Sequence, residues 1–152
     1  MTTRRARIAL ITAAASGAVA LVPVLPAAPA SAASAVQIYR VYFDSPGRDN
    51  RSNASLNGEW VQIVNRGKAR SLKGWKLRDK TGYTYTFGSF TLGKGRSVKV
   101  RTGRGSNTAY NRYWGRRAYV WNNTGDAAYL RTSSGSLADS CSWGRRGPSK
   151  YC

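Results

Sequence analysis

The feature that most constrains the fold of this chain is an alternation of apolar and polar side chains across residues 58–101. The segment reads GEWVQIVNRGKARSLKGWKLRDKTGYTYTFGSFTLGKGRSVKVR, and β-branched and aromatic residues recur in it at every second position within short runs. The runs are separated by turn segments that contain glycine. A period of two between such turns is typical of antiparallel strands with one buried face. The chain is therefore expected to consist of short β-strands.

The same alternation divides the side chains between the interior and the solvent. Trp75 is expected to be a buried anchor, because a tryptophan side chain removes a large apolar area from water. The residues assigned to the structural core are Trp60, Val61, Ile63, Trp75, Leu77, Phe87 and Trp121. The charges that alternate with apolar residues are expected on outer faces of the sheets: Lys76, Arg78, Lys99 and Arg101.

Further strands are predicted on both sides of this segment. They cover residues 36–43, 119–122, 127–132 and 137–143. Two polar segments, residues 44–57 and 102–117, are predicted to be loops. The total is about eight short strands at regular spacing, and no helical period occurs after residue 32. This pattern predicts an all-β antiparallel sandwich.

Several segments of the chain resemble the lamin tail domain. They are GEWVQIVN at 58–65, LKGWKLR at 72–78, GYTYTF at 82–87, FTLGKG at 90–95 and VWNNTGD at 120–126. The resemblance extends over residues 36–143 and implies an immunoglobulin-like β-sandwich. Bacterial domains of this kind look like secreted or surface-attached modules. The family has no shared catalytic residues, so the resemblance implies a fold rather than a reaction.

Residues 1–32 are identified as an export signal. Arg4, Arg5 and Arg7 precede an apolar segment at 8–25, and Ala-Ser-Ala at 30–32 fits a cleavage site. A membrane anchor is the alternative, but serine, threonine, glycine and proline interrupt the apolar segment, which favours cleavage near Ala32. The predicted organisation is a signal peptide at 1–32, a domain at 33–143 and a basic tail at 144–152. No later segment is apolar enough to span a bilayer, so a secreted protein is expected.

The charge balance is strongly basic. Once residues 1–32 are removed, 22 Lys and Arg residues face 6 acidic residues, a formal net charge of +16. Such a domain attracts polyanions over long distances; nucleic acid, an anionic wall polymer and anionic lipid are the candidate ligands. Solubility is the alternative explanation for the charge. The candidate contacts are Arg66, Lys68, Arg70, Lys73, Lys76 and Arg78, expected on one hairpin, with Lys99, Arg101, Arg112, Arg116 and Arg117.

Three aromatic residues lie among the last of these arginines. Tyr110, Tyr113 and Trp114 are interleaved with them in the sequence YNRYWGRR. Aromatic rings can stack on bases or sugars while guanidinium groups hold phosphates. The alternative is that Tyr113 and Trp114 cover one end of the sandwich.

The chain has no histidine, which removes the most common general base and the common zinc sites. The five aspartates fall in or beside turns, where capping is their ordinary role. Asp44 and Asp49 fit no known calcium-loop spacing. Glu59 lies in a strand pattern and is expected to be partly buried and paired with an arginine. We therefore predict no enzyme, no cofactor and no metal site.

Cys141 and Cys152 are the only cysteines. In an exported chain they are expected to form a disulfide that holds the C-terminus against the last strand. A reactive or metal-binding thiol pair is the alternative.

These inferences favour a secreted, non-enzymatic module that adheres to polyanions. A structural or protein-interaction module of the cell envelope, with a partner that the sequence does not identify, is the first alternative. A small metal-dependent hydrolase is the second.

Overall fold

Short strands dominate the secondary structure, in agreement with the period-two pattern. A computed structural model describes residues 34–152, so the predicted export signal lies outside the described residues. Within them the elements are β1 Val36–Tyr42, α1 Asn53–Leu56, β2 Trp60–Asn65, β3 Arg70–Ser71, β4 Lys76–Arg78, β5 Thr84–Thr86, β6 Thr91–Leu92, β7 Ser97–Arg101, β8 Asn111–Tyr113, β9 Gly125–Arg131, β10 Leu137–Gly144 and β11 Ser149–Tyr151.

The strands form three sheets. One has five strands in the order β11-β1-β2-β7-β8, one has four in the order β10-β9-β4-β5, and β3 pairs with β6. All pairs are antiparallel except β7 with β8, which is parallel. The predicted all-β sandwich is confirmed. In the described part of the chain, no helix has the length and hydrophobicity that a membrane crossing requires.

The inward side chains of the sheets form one hydrophobic cluster. Val61 lies opposite Val100 and Ile63 opposite Val98 across β2 and β7, and all four are buried. Leu77 of β4 belongs to the same cluster from the four-stranded sheet. Burying each such side chain contributes about 1.5–3 kcal/mol. The alternation read from residues 58–101 thus fixes which face of each strand carries the core.

Six of the seven assigned core residues are buried: Val61, Ile63, Trp75, Leu77, Phe87 and Trp121. Trp60 differs, because it is only half-buried. Its position in β2 has the opposite parity to Val61 and Ile63, so its side chain lies on the outer face of the sheet. There it stacks on Tyr42, with ring centroids 5.3 Å apart.

Both predicted loops contain regular structure. In residues 44–57, Ser52 caps the short helix α1 by accepting a hydrogen bond from the N–H of Ser55 at 3.2 Å. In residues 102–117, β8 pairs with β7. A four-residue helix and a three-residue strand are too short to show a period in the sequence, which is why neither was predicted.

The strand predicted at residues 119–122 is absent from the structure. The backbone N–H of Val120 is donated to the side chain of Glu59 at 3.1 Å instead of to a neighbouring strand. The predicted tail contains β11, which pairs with β1. The tail is therefore an edge strand of the five-stranded sheet.

The predicted disulfide is confirmed between Cys141 and Cys152, whose Cα atoms are 5.7 Å apart. Cys141 lies on β10 of the four-stranded sheet, and Cys152 directly follows β11 of the five-stranded sheet. The bond therefore joins the two sheets as well as the C-terminus.

Candidate functional site

The first six candidate cations are exposed but do not share one hairpin. Arg66 and Lys68 follow β2, Arg70 lies on β3, and Lys76 and Arg78 lie on β4. These elements belong to three different sheets. The sequence therefore identified solvent-exposed charges here, but it did not identify a single surface.

The aromatic residues of 102–117 serve mainly to pack the domain. Trp114 contacts the core edge-on against Trp121, with centroids 5.9 Å apart. The ring of Tyr113 lies against Gly105, where an added Cβ would fall 2.5 Å from it. Arg112 places its guanidinium 4.0 Å from the ring centroid of Phe90. Tyr110 differs, because 64% of its surface is exposed. The packing alternative thus describes Tyr113 and Trp114.

The outer face of the five-stranded sheet concentrates cations and aromatic rings. The strand register places two rows of side chains across it. One row is Tyr151, Arg40, Gln62, Lys99 and Asn111, and the other is Ser149, Tyr42, Trp60, Arg101 and Tyr113. Neither row contains an acidic residue. We call the face formed by Arg40, Tyr42, Trp60, Lys99, Arg101 and Tyr151 the cationic platform.

A β-bulge in β1 contributes to this face. The register with β2 shifts between Ile38 and Arg40, so one residue is inserted there. Because of the insertion, Tyr39 and Arg40 both avoid the interior: Tyr39 is 40% exposed and Arg40 is half-buried. Bulges commonly re-aim side chains in this way. Without it, strict alternation would place only one of the two on the outer face.

Aromatic rings hold two of the platform cations. The guanidinium carbon of Arg40 lies 4.4 Å from the ring centroid of Tyr151 and 5.7 Å from that of Trp60. The ammonium of Lys99 lies 4.2 Å from the Trp60 ring on the adjacent strand β2. Each cation–π contact contributes about 0.5–1 kcal/mol when partly exposed. Trp60 therefore links Arg40 and Lys99 across three strands.

Hydrogen bonds restrict the platform arginines further. Arg40 donates from Nη2 to the hydroxyl of Ser149 at 2.9 Å, while Nη1 makes no hydrogen bond within the described residues. Arg101 donates from Nε to Asn111 at 2.8 Å and from Nη1 to the carbonyl of Asn57 at 2.7 Å. Both guanidinium groups are thus oriented, and Arg40 keeps donors for a ligand.

The concentration of positive charge on the platform affects the pKa of Lys99. Partial burial, followed by the nearby charges of Arg101 and Arg40, lowers the pKa of its ammonium below the usual range. A bound anion would oppose all three causes, because it offsets lost hydration and balances like charges.

The outer face of the four-stranded sheet presents its cations differently. Lys76 and Arg78 are both exposed, and Thr84 and Thr86 of β5 lie opposite them. The cation–π contacts found in the described residues include neither. Both side chains are therefore exposed without a ring in contact with their charges, and the Arg78 guanidinium lies near Gly82, where an added Cβ would fall 3.3 Å from Nη2.

A cleft in the surface is lined by four arginines that come from separate segments of the chain. Its volume is about 350 Å³, and its lining is Arg51, Asn53, Leu56, Arg104, Arg116 and Arg117. We call it the arginine cleft. Arg116 is held by the ring of Tyr83, 4.1 Å from its guanidinium carbon. The lining contains no carboxylate.

Glu59 lies beneath the start of β2 and is only 1% exposed. Its Oε2 accepts the N–H of Val120, and Oε1 has no partner within the described residues. Burial is the largest influence and raises the pKa of this carboxyl to about 8, although the hydrogen bond from the Val120 N–H lowers it. The expected arginine partner is replaced by a backbone N–H. Glu59 is inaccessible to a substrate.

Three aspartates accept backbone hydrogen bonds within the fold. Asp79 accepts the N–H groups of Gly82 and Tyr83 in the β4–β5 turn, and Asp126 accepts that of Asn122. Asp139 accepts the N–H of Ile38 at 2.8 Å. Among residues 34–152, no three His, Cys, Asp or Glu side chains come together as a metal site.

Several residues of these surfaces were not predicted as contacts. Arg40, Tyr42 and Tyr151 belong to strands whose outer faces the sequence left unassigned, and Trp60 was placed in the core. The parity of Trp60 relative to Val61 was a usable signal. Arg51 and Arg104 carry no local pattern, because only the folded chain brings their segments together.

Comparison with known families agrees with this architecture. The family model described as Lamin Tail Domain matches residues 29–145. A search of curated proteins found no match.

Proposed function

The chain belongs to the lamin tail domain family, whose fold is immunoglobulin-like, and from that premise we propose that it is an exported, non-enzymatic module that binds polyanions. The family is not a known enzyme family, and its domains are binding or structural modules. The cationic platform is the proposed contact surface.

The observation that carries the proposal is that the side chains of the platform cations are held in place before any ligand binds. Arg40, Lys99 and Arg101 lie on one face, are oriented by rings or hydrogen bonds, and have no carboxylate beside them. Ordering long side chains before binding lowers the entropy cost of association. A polyanion laid across β1, β2 and β7 meets charges that are already in place.

The proposed ligand is recognised by its backbone charge. The rings of Tyr42 and Trp60 stack on each other, and Arg40 and Lys99 lie against Trp60. These contacts leave less ring surface for stacking on bases. Binding should depend little on the sequence of a nucleic acid and should fall steeply with salt.

Export is part of the same proposal. Residues 1–32 fit a cleaved leader, and a disulfide is typical of oxidising compartments. Extracellular nucleic acid and anionic wall polymers are polyanions available there.

The test is salt-titrated binding of the purified protein to short mixed-sequence duplex DNA and to heparin. The variant Arg40→Gln/Lys99→Gln removes one Arg and one Lys from the platform. Its matched control, Lys76→Gln/Arg78→Gln, removes the same charges from the opposite sheet. We expect the platform variant to lose at least about tenfold in affinity and about two units of salt slope, because two phosphate contacts disappear.

The control variant should lose only the long-range attraction of two charges, about threefold or less. Equal losses in the two variants would show that total charge, and not the platform, determines binding. Wild-type protein that fails to bind either polyanion at low salt would contradict the proposed function itself.

A further inference from the structure

We propose that the arginine cleft is a binding site for a small organic molecule that carries a single phosphate or sulfate ester group. Nothing in the polymer-binding proposal requires such a site, because the cleft is formed by different residues from the cationic platform. The chemistry follows from its lining, which combines four arginines with one asparagine and one leucine.

Guanidinium groups match the oxygens of tetrahedral anions. Each presents planar N–H donors that pair with phosphate or sulfate oxygens in a bidentate manner. Arg51, Arg104, Arg116 and Arg117 line the same cleft, whose lining has no carboxylate to neutralise them. An anion bound among them would relieve their mutual repulsion.

Hydrogen bonds fix the backbone that carries these arginines. Asn53 accepts the N–H of Arg104 at 2.7 Å, and its amide donates to the carbonyl of Arg104 at 2.9 Å. Asn57 donates to the same carbonyl at 2.9 Å. The N–H of Arg116 is donated to the carbonyl of Thr102 at 2.9 Å. Three distant segments of the chain are therefore connected before any ligand arrives.

Close packing at Gly103 shows how tight this connection is. A Cβ at that position would lie 2.6 Å from Oδ1 of Asn57 and 2.7 Å from Oδ1 of Asn53. Only glycine lets the two asparagines approach the backbone that precedes Arg104. The arginine is thereby held at a fixed place in the lining.

Arg51 adds backbone strain to the same cleft. Its φ of 56° is positive, and among the described residues it is the one non-glycine residue with this conformation. The left-handed region is unfavourable for a residue with a side chain, because its Cβ approaches the backbone too closely. Such outliers concentrate at ligand sites, where the fold compensates for the strain. Here the hydroxyl of Tyr119 accepts the N–H of Arg51 at 3.3 Å.

The size of the cleft indicates more than a bare ion. Its volume of about 350 Å³ falls in the range of roughly 300–1,000 Å³ that small-molecule sites occupy. When the ester group of a ligand lies among the arginines, the cleft has room beside Leu56 and Asn53 for one sugar-sized ring of the same ligand. A phosphorylated or sulfated sugar has these dimensions and this charge.

The experiment is calorimetric titration of the purified protein with inorganic phosphate, inorganic sulfate, glucose 6-phosphate and glucose 6-sulfate at constant low salt. We expect saturable binding at one site, tighter for a sugar ester than for the matching inorganic ion. Tighter binding of glucose 6-phosphate than of glucose 6-sulfate would assign a phosphate ester, and the reverse order a sulfate ester. No saturable binding by any of the four would overturn the proposal.

The variants locate the site. Arg104→Gln/Arg117→Gln should weaken sugar-ester binding by at least about tenfold. Arg66→Gln/Arg70→Gln removes two exposed arginines elsewhere and should change it by no more than about twofold. Equal losses in both variants would overturn the cleft as the site.

The platform variant Arg40→Gln/Lys99→Gln separates this proposal from the polymer proposal. It should retain sugar-ester binding unchanged. If this variant loses polymer binding and keeps sugar-ester binding, the cleft proposal stands. If it keeps polymer binding and loses sugar-ester binding, the cleft proposal alone is contradicted.

Discussion

The outer faces of the two main sheets carry the same sequence motif in different surroundings. β7 carries Lys99 and Arg101, and β4 carries Lys76 and Arg78, in each case separated by one buried residue. On β7 the two charges are half-buried and are held by Trp60, Asn111 and the Asn57 carbonyl. On β4 they are exposed. Equal charge patterns therefore give one ordered surface and one solvated surface.

The neighbouring strands cause this difference. β7 lies inside its sheet between β2 and β8, and β2 provides Trp60. β4 lies between β9 and β5: β5 places threonines opposite Lys76 and Arg78. On the other side, β9 places Arg131 opposite Lys76 and Tyr129 opposite Arg78. The Trp60 ring contacts the Lys99 ammonium, whereas the cation–π contacts of the described residues do not include Tyr129 with Arg78. The lesson is that an outward-facing charge is ordered by the contact that a cross-strand ring makes with it, and not by the presence of a ring on the next strand.

The largest expected effect is a pH dependence of the free energy of unfolding. It arises from Glu59, which directly precedes Trp60 in the five-stranded sheet. The unfolded carboxyl loses its proton near 4.5, whereas the folded one keeps it to about 8. This group therefore stabilises the fold fully below pH 4.5, and the contribution is lost as pH rises through about 8. Its part of the free energy of unfolding falls by up to about 1.4 kcal/mol per pH unit in that window.

The variant Glu59→Gln tests this directly. Because the amide does not ionise, we expect its free energy of unfolding to be less dependent on pH and to exceed that of wild type at pH 8.5. Denaturant unfolding at pH 5, 7 and 8.5 measures it. A parallel pH dependence in both proteins would show that Glu59 is already ionised in the fold.

The next effect concerns the bond that joins the two sheets. Cys141→Ser/Cys152→Ser removes a cross-link with a sequence separation of 11 residues and should lower the free energy of unfolding by about 3 kcal/mol. Because Tyr151 and Ser149 contact Arg40, fraying of β11 should also weaken polyanion binding by the platform. Binding retained at wild-type affinity in the folded variant would show that β11 is dispensable for the platform.

A smaller effect is expected at Trp60 itself. Trp60→Ala removes the ring that contacts both Arg40 and Lys99 without changing the net charge, so affinity for duplex DNA should fall by about threefold to tenfold. Trp60→Phe retains a ring and should recover most of the loss. Tyr83→Ala, which removes the ring beside Arg116, is the control and should leave DNA binding unchanged. Equal affinity of Trp60→Ala and wild type would contradict the ordering role of the ring.

The features that the sequence predicted correctly are those that depend on local patterns. Alternation at Val61, Ile63, Val98 and Val100 fixes the buried faces, because strand parity is a local property. The same parity placed Lys76 and Arg78 outward. For Trp60 hydrophobicity was given more weight than parity, and the structure shows that parity decides.

The remaining features depend on contacts between distant residues. The bulge beside Arg40 has no local signature, since it depends on the register between β1 and β2. The arginine cleft needs residues 51, 104 and 116 to be brought together by side-chain to backbone hydrogen bonds across more than 40 residues of chain. Neither charge counting nor periodicity contains that information.

The most direct test of the central claim is a map of backbone amide chemical shifts during titration with a heparin oligosaccharide. We predict that the amides of β1, β2 and β7 around Arg40, Trp60 and Lys99 shift in proportion to binding, while those around Lys76 and Arg78 stay near their free positions. Shifts of equal size on both sheets, or larger ones on β4, would contradict the claim that the cationic platform is the polyanion surface.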